Sequence, residues 1–235
     1  MNYAFISGAT SGIGLETAKL LAAKKIPLII NGRRSDRLNK IQQELRELTT
    51  VEAAVFDVSS SKAVDEWFNA NTTLASQTQI LLNNAGLARG TDPVQRSNVS
   101  DWEKMIDTNI KGLLYLTRKI LPHMVENKKG HIVNIGSVAG RWTYPGGAVY
   151  SATKFAVRAI SEGLRLDVQG SGVRVTNIEP GMVETEFSEV RFGDKEKAKQ
   201  VYKGMKPLTA KDIAETIVWT LDRPAHVNIQ ELVIY

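Results

Sequence analysis

The chain has 235 residues, with 30 Lys and Arg against 25 Asp and Glu, a net charge of +5 and no cysteine. Disulfides, thiolate chemistry and cysteine-based zinc sites are therefore excluded, and the three histidines, His123, His131 and His226, are too scattered to form a metal-ligand set. The positive charge is interleaved with acids and forms no basic, aromatic-bearing ribbon, so it points to anionic small ligands rather than nucleic acid, and no apolar run reaches the roughly 18 residues that suggest a membrane span.

In chain order, Met1-Asn2 leads directly into Tyr3-Ala-Phe-Ile-Ser7, a short apolar run with the character of a buried strand. The absence of a leader ahead of it gives a soluble cytoplasmic protein as the expectation. The run feeds Gly8-Ala-Thr-Ser-Gly12-Ile-Gly14 and then a helical pattern from Leu15. Strand, glycine turn and helix form the context in which a dinucleotide's pyrophosphate is held: glycine lets backbone approach, and the helix start offers free N–H groups and partial positive charge. The spacing G-x-x-x-G-x-G differs from the general G-x-G-x-x-G. Many glycine turns bind nothing, but placement at the first strand–helix junction favours phosphate.

A second strand, Leu28 to Asn31, ends at Gly32-Arg33-Arg34. Folds that bind NAD commonly place an acid here to bond the ribose 2′-hydroxyl. Two arginines instead suit a phosphate, which a guanidinium grips with paired N–H groups. They also fit the start of a solvated helix, although cations there oppose the helix dipole. Asp57 follows the third strand, Ala53 to Phe56, and by itself fits a cap ahead of Ser59-Ser60-Ser61. The fourth strand, Ile80 to Asn83, opens into Asn84-Ala85-Gly86, and Asn109 lies in what reads as a polar position of a long helix.

After the fifth strand, His131 to Ile135, comes Ser137, followed by Tyr150 and Lys154. Residues four apart share a helix face, so an ammonium stands beside a phenol and is expected to lower its pKa. Tyr-x-x-x-Lys alone has two fixed positions and fits a chance pair on a solvated helix. Trp142 and Tyr144, between Ser137 and Tyr150, are expected on the wall of a substrate pocket. The sixth strand, Arg174 to Ile178, leads to Pro180-Gly181, and the seventh spans Glu231 to Ile234. Strands alternating with helices predict an α/β fold, a doubly wound Rossmann-type parallel sheet with helices on both faces, in a single domain over residues 1–235.

Taken together these residues resemble the classical short-chain dehydrogenase/reductase family along essentially the whole chain. The resemblance rests on Ser7-Gly8-Ala-Thr-Ser-Gly12-Ile-Gly14, with serine for the usual threonine, and on Asn83-Asn-Ala-Gly86, Asn109, Ser137, Tyr150, Lys154, and Pro180-Gly181 with Thr185. It implies Asn109, Ser137, Tyr150 and Lys154 as catalytic residues. NADP is implied as cofactor, held by Gly8, Thr10, Ser11, Gly12, Ile13 and Gly14, by Arg33 and Arg34 at the 2′-phosphate, and by Asp57 and Val58 at the adenine. Asn84, Ala85, Gly86, Tyr150, Lys154, Pro180, Gly181, Val183 and Thr185 complete that set. Lys154 is further implied to hold the nicotinamide ribose, and Asn109 a water linking Lys154 to solvent.

Within the family, Asp101 to Asn109, Gly130 to Ser137 and Ile178 to Glu184 are similar to NADP-dependent 3-hydroxy acid dehydrogenases, which act on serine, allo-threonine and related small acids. The substrate is then expected at Ser137, Trp142, Tyr150 and Arg191, under a lid at 184–203. Arg191 either clamps a substrate carboxylate or pairs with Glu186 or Glu189, and Arg141 is the next candidate for the clamp. A 3-oxoacyl-carrier-protein reductase and a non-catalytic NADP-sensing protein are the alternative readings; a nucleotide-sugar epimerase fits the glycine spacing less well. The resemblance also implies a homotetramer built on the helices after Asn109 and Tyr150, no metal, no nucleic acid and no membrane. Relatives often run on past the last strand into a short tail, so the stop at Tyr235 leaves a trimmed chain as an open expectation.

Overall fold

The computed structural model describes residues 2–235, apart from the side chains of Lys195, Lys197 and Lys199. In chain order the elements are β1 (Tyr3–Ile6), α1 (Gly12–Ala23), β2 (Leu28–Gly32), α2 (Ser35–Arg46), β3 (Val51–Val55), α3 (Ser61–Ala70), α4 (Thr72–Ser76), β4 (Thr78–Asn83), α5 (Val99–Ile106) and α6 (Leu113–Glu126). They continue with β5 (Gly130–Ile135), α7 (Ala148–Asp167), β6 (Val173–Pro180), β7 (Val183–Glu184), α8 (Glu186–Phe192), α9 (Lys195–Gln200), β8 (Leu208–Thr209), α10 (Ala210–Leu221) and β9 (Glu231–Ile234). Seven strands form one sheet in the order β3-β2-β1-β4-β5-β6-β9, every neighbouring pair parallel. The seven strands expected from the sequence are these seven, with ends moved by a few residues.

Why the central strands read as unbroken apolar runs is plain from their burial. A parallel sheet is covered on both faces, so neither side of β1 meets water. Ala4 and Ile6 join one core with Leu21 of α1, Leu38 of α2 and Ile217 of α10. Tyr3 and Phe5, pointing the opposite way, join a second core with Phe68 of α3 and Ile120 of α6. Phe5 is fully buried, its ring stacked on Phe68 at 5.7 Å and edge-on to Trp67 at 5.8 Å. Emptying such a site costs about 3–5 kcal/mol.

The order reverses between β1 and β4. β1 continues outward through β2 on one side and β4 through β5 on the other, so their C-terminal ends diverge and leave a crevice. One feature departed from expectation. Asn109 is not in a regular helix: a π-helical segment, Asp107–Gly112, interrupts the run from α5 to α6, a distortion often found at functional sites. The segment after Pro180-Gly181 is built from β7, α8 and α9, and a small two-stranded sheet pairs β7 with β8.

Candidate active site

The crevice holds a cavity of about 350 Å³. Its floor is the β1–α1 turn, with Gly8, Thr10, Ser11, Gly12 and Ile13 on the lining. Gly8 and Gly12 have φ of +66° and +56°, a region that side-chain-bearing residues rarely adopt. Gly14 lies behind this lining, where a Cβ would come within 2.5 Å of both Asn84 Nδ2 and Gly8 O. Ser11 caps α1 in sequence only: its side chain makes no capping hydrogen bond, and no acid occupies the first turn. The N–H groups at the start of α1 thus lack a side-chain partner, which suits an anion.

At one end of the cavity stand Arg33, Arg34, Asp57 and Val58. Arg34 donates from Nη2 to Thr10 Oγ1 at 2.9 Å and from Nη1 to Glu186 Oε2 at 3.2 Å. Arg33 Nη1 reaches Asp57 Oδ2 at 3.3 Å. Asp57 also accepts from the backbone and hydroxyl of Ser59 at 2.9 and 2.7 Å, so it both caps the turn and lines the cavity. These bonds, with the nearby charge of Arg33, hold its carboxyl below the usual range although burial opposes them. Arg37, not singled out from the sequence, meets Glu186 Oε1 at 2.7 Å; its spacing of three from Arg34 on α2 was the available signal.

The other end gathers Ser137, Tyr150, Lys154, Asn84, Ala85 and Gly86 from the ends of β4 and β5 and from α7. Pro180, Gly181, Val183 and Thr185 close it from the β6 side, with Phe187 and Val190 of α8 overhead. The Ser137 hydroxyl is near enough to the Tyr150 phenol to favour its ionised form. Lys154, 7% exposed, donates from Nζ to Ile135 O at 2.8 Å and lies 5.9 Å from the Tyr150 ring centroid. Burial draws its pKa down to about 8.

The electrostatics correct one expectation. Burial pushes the Tyr150 phenol above its ordinary value, and the influences that oppose this are the nearby Ser137 hydroxyl and the charge of Arg191 rather than Lys154. The ammonium is turned toward the Ile135 carbonyl, and its own charge is weakened by desolvation. Asn109 is buried behind the loop at Gly86. It is 2% exposed, accepts from Leu87 N at 2.8 Å, and donates to Leu87 O at 2.9 Å and Thr153 Oγ1 at 3.0 Å. Its amide braces the Gly86 loop against α7.

On the substrate side, Trp142 departs from expectation: it is 60% exposed, is not on the cavity wall, and donates from Nε1 to Tyr235 Oη at 3.2 Å. Tyr144 is also absent from the cavity wall, and its buried hydroxyl has no hydrogen-bond partner. Arg191 is not on the cavity lining either; its guanidinium sits over the Tyr144 ring at 5.1 Å and the Tyr150 ring at 6.0 Å. Glu186 is already engaged by Arg34 and Arg37, so the Glu186 pairing expected for Arg191 does not form. Arg141 is not available as a clamp: it pairs with Glu179 and Glu231 behind the site. Among the described residues no group of three or more His, Cys, Asp and Glu side chains is placed to hold a metal ion, and no helix is long and apolar enough to cross a membrane.

The arrangement accommodates a long ligand with an anionic middle over α1, a second anionic group at Arg33 and Arg34, and a reactive end beside Tyr150. Comparison with known proteins agrees with that geometry. A family model described as short chain dehydrogenase matches residues 2–196. The NADP-dependent 3-hydroxy acid dehydrogenase YdfG of Salmonella typhi is 48% identical over 226 residues, 95% of this chain and 90% of that protein. Serine 3-dehydrogenase of Agrobacterium fabrum is 44% identical over 97% of this chain and 90% of its own length. A solved structure of the closed form of serine dehydrogenase complexed with NADP⁺ superposes with a TM-score of 0.90 at 44% identity, covering 98% of this chain and 93% of that one.

Proposed function

The chain belongs to the short-chain dehydrogenase family, and from that premise we propose that it is an NADP-dependent oxidoreductase interconverting a small 3-hydroxy acid and its 3-oxo form. The carrying observation is a single cavity with Arg33 and Arg34 at one end and Ser137, Tyr150 and Lys154 at the other. The cofactor fits the residues present: the uncapped start of α1 suits its pyrophosphate, the two arginines its 2′-phosphate, and Gly86 leaves open the space beside Lys154. When bound, NADP supplies or accepts a hydride at its nicotinamide ring.

The chain's own residues then handle the oxygen and the proton. Ser137 Oγ donates a hydrogen bond to the substrate oxygen, which gains negative charge during reduction. Tyr150 Oη delivers the proton in that direction and takes it back in oxidation. Burial alone leaves the phenol too weak an acid to release its proton readily near neutrality. Ser137 and Arg191 oppose that effect. Lys154 orients the ribose, and Asn109 serves by fixing the loop that carries Gly86. Pro180, Gly181, Val183 and Thr185 shape the nicotinamide end.

The acid group of the substrate is assigned to Arg191, between Tyr144 and Tyr150, with residues 184–203 as the lid that brings it there. Trp142 is left outside this subsite. A homotetramer in the cytoplasm completes the reading, as the family implies. A panel of small hydroxy acids, simple alcohols and acyl thioesters assayed with NADP⁺ or NADPH and with the NAD pair tests it. Turnover of 3-hydroxy acids with NADP⁺ is expected; turnover of thioesters alone, or of nothing, overturns it.

A further inference from the structure

Behind Ser137 lies a charge network that the mechanism does not use. Glu179, the penultimate residue of β6, is completely buried. One carboxylate oxygen accepts from Asn177 Nδ2 at 2.7 Å and the other from Arg141 Nε. Arg141 also donates from Nη2 to Glu231 of β9, whose second oxygen accepts from Arg158 Nε of α7 at 3.1 Å. Two arginines and two glutamates from four segments thus neutralise one another.

The location matters more than the count of bonds. Arg141 ends the single 3₁₀ turn Val138–Gly140 that Ser137 caps; Ser137 Oγ accepts from Ala139 N at 3.1 Å, and Arg141 N donates to Val138 O at 2.9 Å. Glu179 immediately precedes Pro180, whose carbonyl oxygen lies 3.5 Å from Ser137 Oγ. Between them, Gly136 presses so close that a Cβ would meet Asn177 Oδ1 at 2.6 Å and Glu179 Cγ at 3.1 Å. A buried ion pair is seldom the most stable filling for a core, since apolar residues of the same volume do as well or better. What it adds is direction: a guanidinium fork held by two carboxylates has one geometry.

We propose that Arg141 and Glu179 are positioning residues: the ion pair between the partly exposed guanidinium and the buried carboxylate locks the turn beginning at Ser137 against the Pro180–Gly181 turn and so sets where the Ser137 hydroxyl points. This rests on the reading of Ser137 as the group that holds the substrate oxygen. Glu179→Gln keeps the volume and the Asn177 bond while removing the charge. Displacements on the order of 1 Å can cost about 100-fold in rate, so a loss of about tenfold in kcat with NADP⁺ and a small 3-hydroxy acid is expected, with NADP⁺ affinity within twofold of the parent. In a Ser137→Ala background the same substitution is expected to cost nothing further, because its target is gone. Arg141→Lys, which keeps a cation but loses the fork, is expected to lose less than Arg141→Met. Hydrogen–deuterium exchange in the protein without cofactor is expected to rise at 136–141 in Glu179→Gln and stay unchanged in β1. Losses that multiply in the double variant, or unchanged exchange at 136–141, overturn the proposal. If the parent protein oxidises no hydroxy acid, the functional reading fails while the exchange measurement still decides this one.

Discussion

Replacing Arg33 and Arg34 together by glutamine separates phosphate recognition from mere helix-start chemistry. Each guanidinium already has a carboxylate: Asp57 at 3.3 Å for Arg33 and Glu186 at 3.2 Å for Arg34. Their side chains are 66% and 48% exposed, so solvent screens whatever they hold. A hydrogen bond to a charged group contributes about 1.5–3 kcal/mol net; competition and exposure place each contact at the lower end. About 1.5 kcal/mol is roughly tenfold in affinity, so the double variant is expected to bind NADP⁺ about 100-fold more weakly. NAD⁺, which lacks the phosphate, is expected to change by less than about threefold on the same argument. Isothermal titration with both cofactors gives the comparison, and raising the salt should narrow the gap between parent and variant. Glu186→Gln works in the opposite direction, releasing Arg34 and Arg37 and tightening NADP⁺. Equal losses for both cofactors would refute the reasoning and leave the arginines as a solvated helix start.

Four further outcomes are expected. Tyr150→Phe lowers kcat by about 100-fold or more, the usual range for a lost acid/base, while titration shows NADP⁺ still bound. Arg191→Ala raises KM for a small 3-hydroxy acid about tenfold, roughly 1.4 kcal/mol, and hardly affects the matching simple alcohol; equal loss for both would make Arg191 a lid brace only. His131, buried against Thr176 Oγ1 at 2.8 Å, has its pKa drawn down to about 3 by burial. The unfolded chain therefore binds a proton that the fold does not, and stability present above about pH 6.5 is lost as pH falls toward 3; His131→Gln should flatten the melting temperature between pH 7 and 4 relative to the parent. Finally, sedimentation should give a tetramer mass, and a concentration-independent monomer would contradict the assembly.

Much of this was legible in the chain because the relevant patterns are local. A strand buried on both faces must be apolar at consecutive positions, so β1, β2 and β5 announce themselves in Tyr3 to Ile6, Leu28 to Asn31 and His131 to Ile135. A turn that admits only glycine keeps glycine at Gly8 and Gly12, and a phenol and an ammonium on one helix face must be spaced like Tyr150 and Lys154. Those constraints act over a few residues, and the order of the motifs along the chain carried the family.

Which side chains meet across long separations was decided only by the fold. Arg34 finds Glu186 across 152 positions and Arg141 finds Glu231 across 90, contacts that depend on how β6, β9 and α8 close over the crevice. Tertiary packing also turned Trp142 outward, spent Arg141 on a buried carboxylate, bent the helix at Asn109 into a π segment and aimed Lys154 at a backbone carbonyl. For Arg141, Asn109 and Lys154 the outcome follows from desolvation: a buried charge or amide takes whichever partner the neighbouring segments bring within reach, and the residue type alone does not say which partner that is.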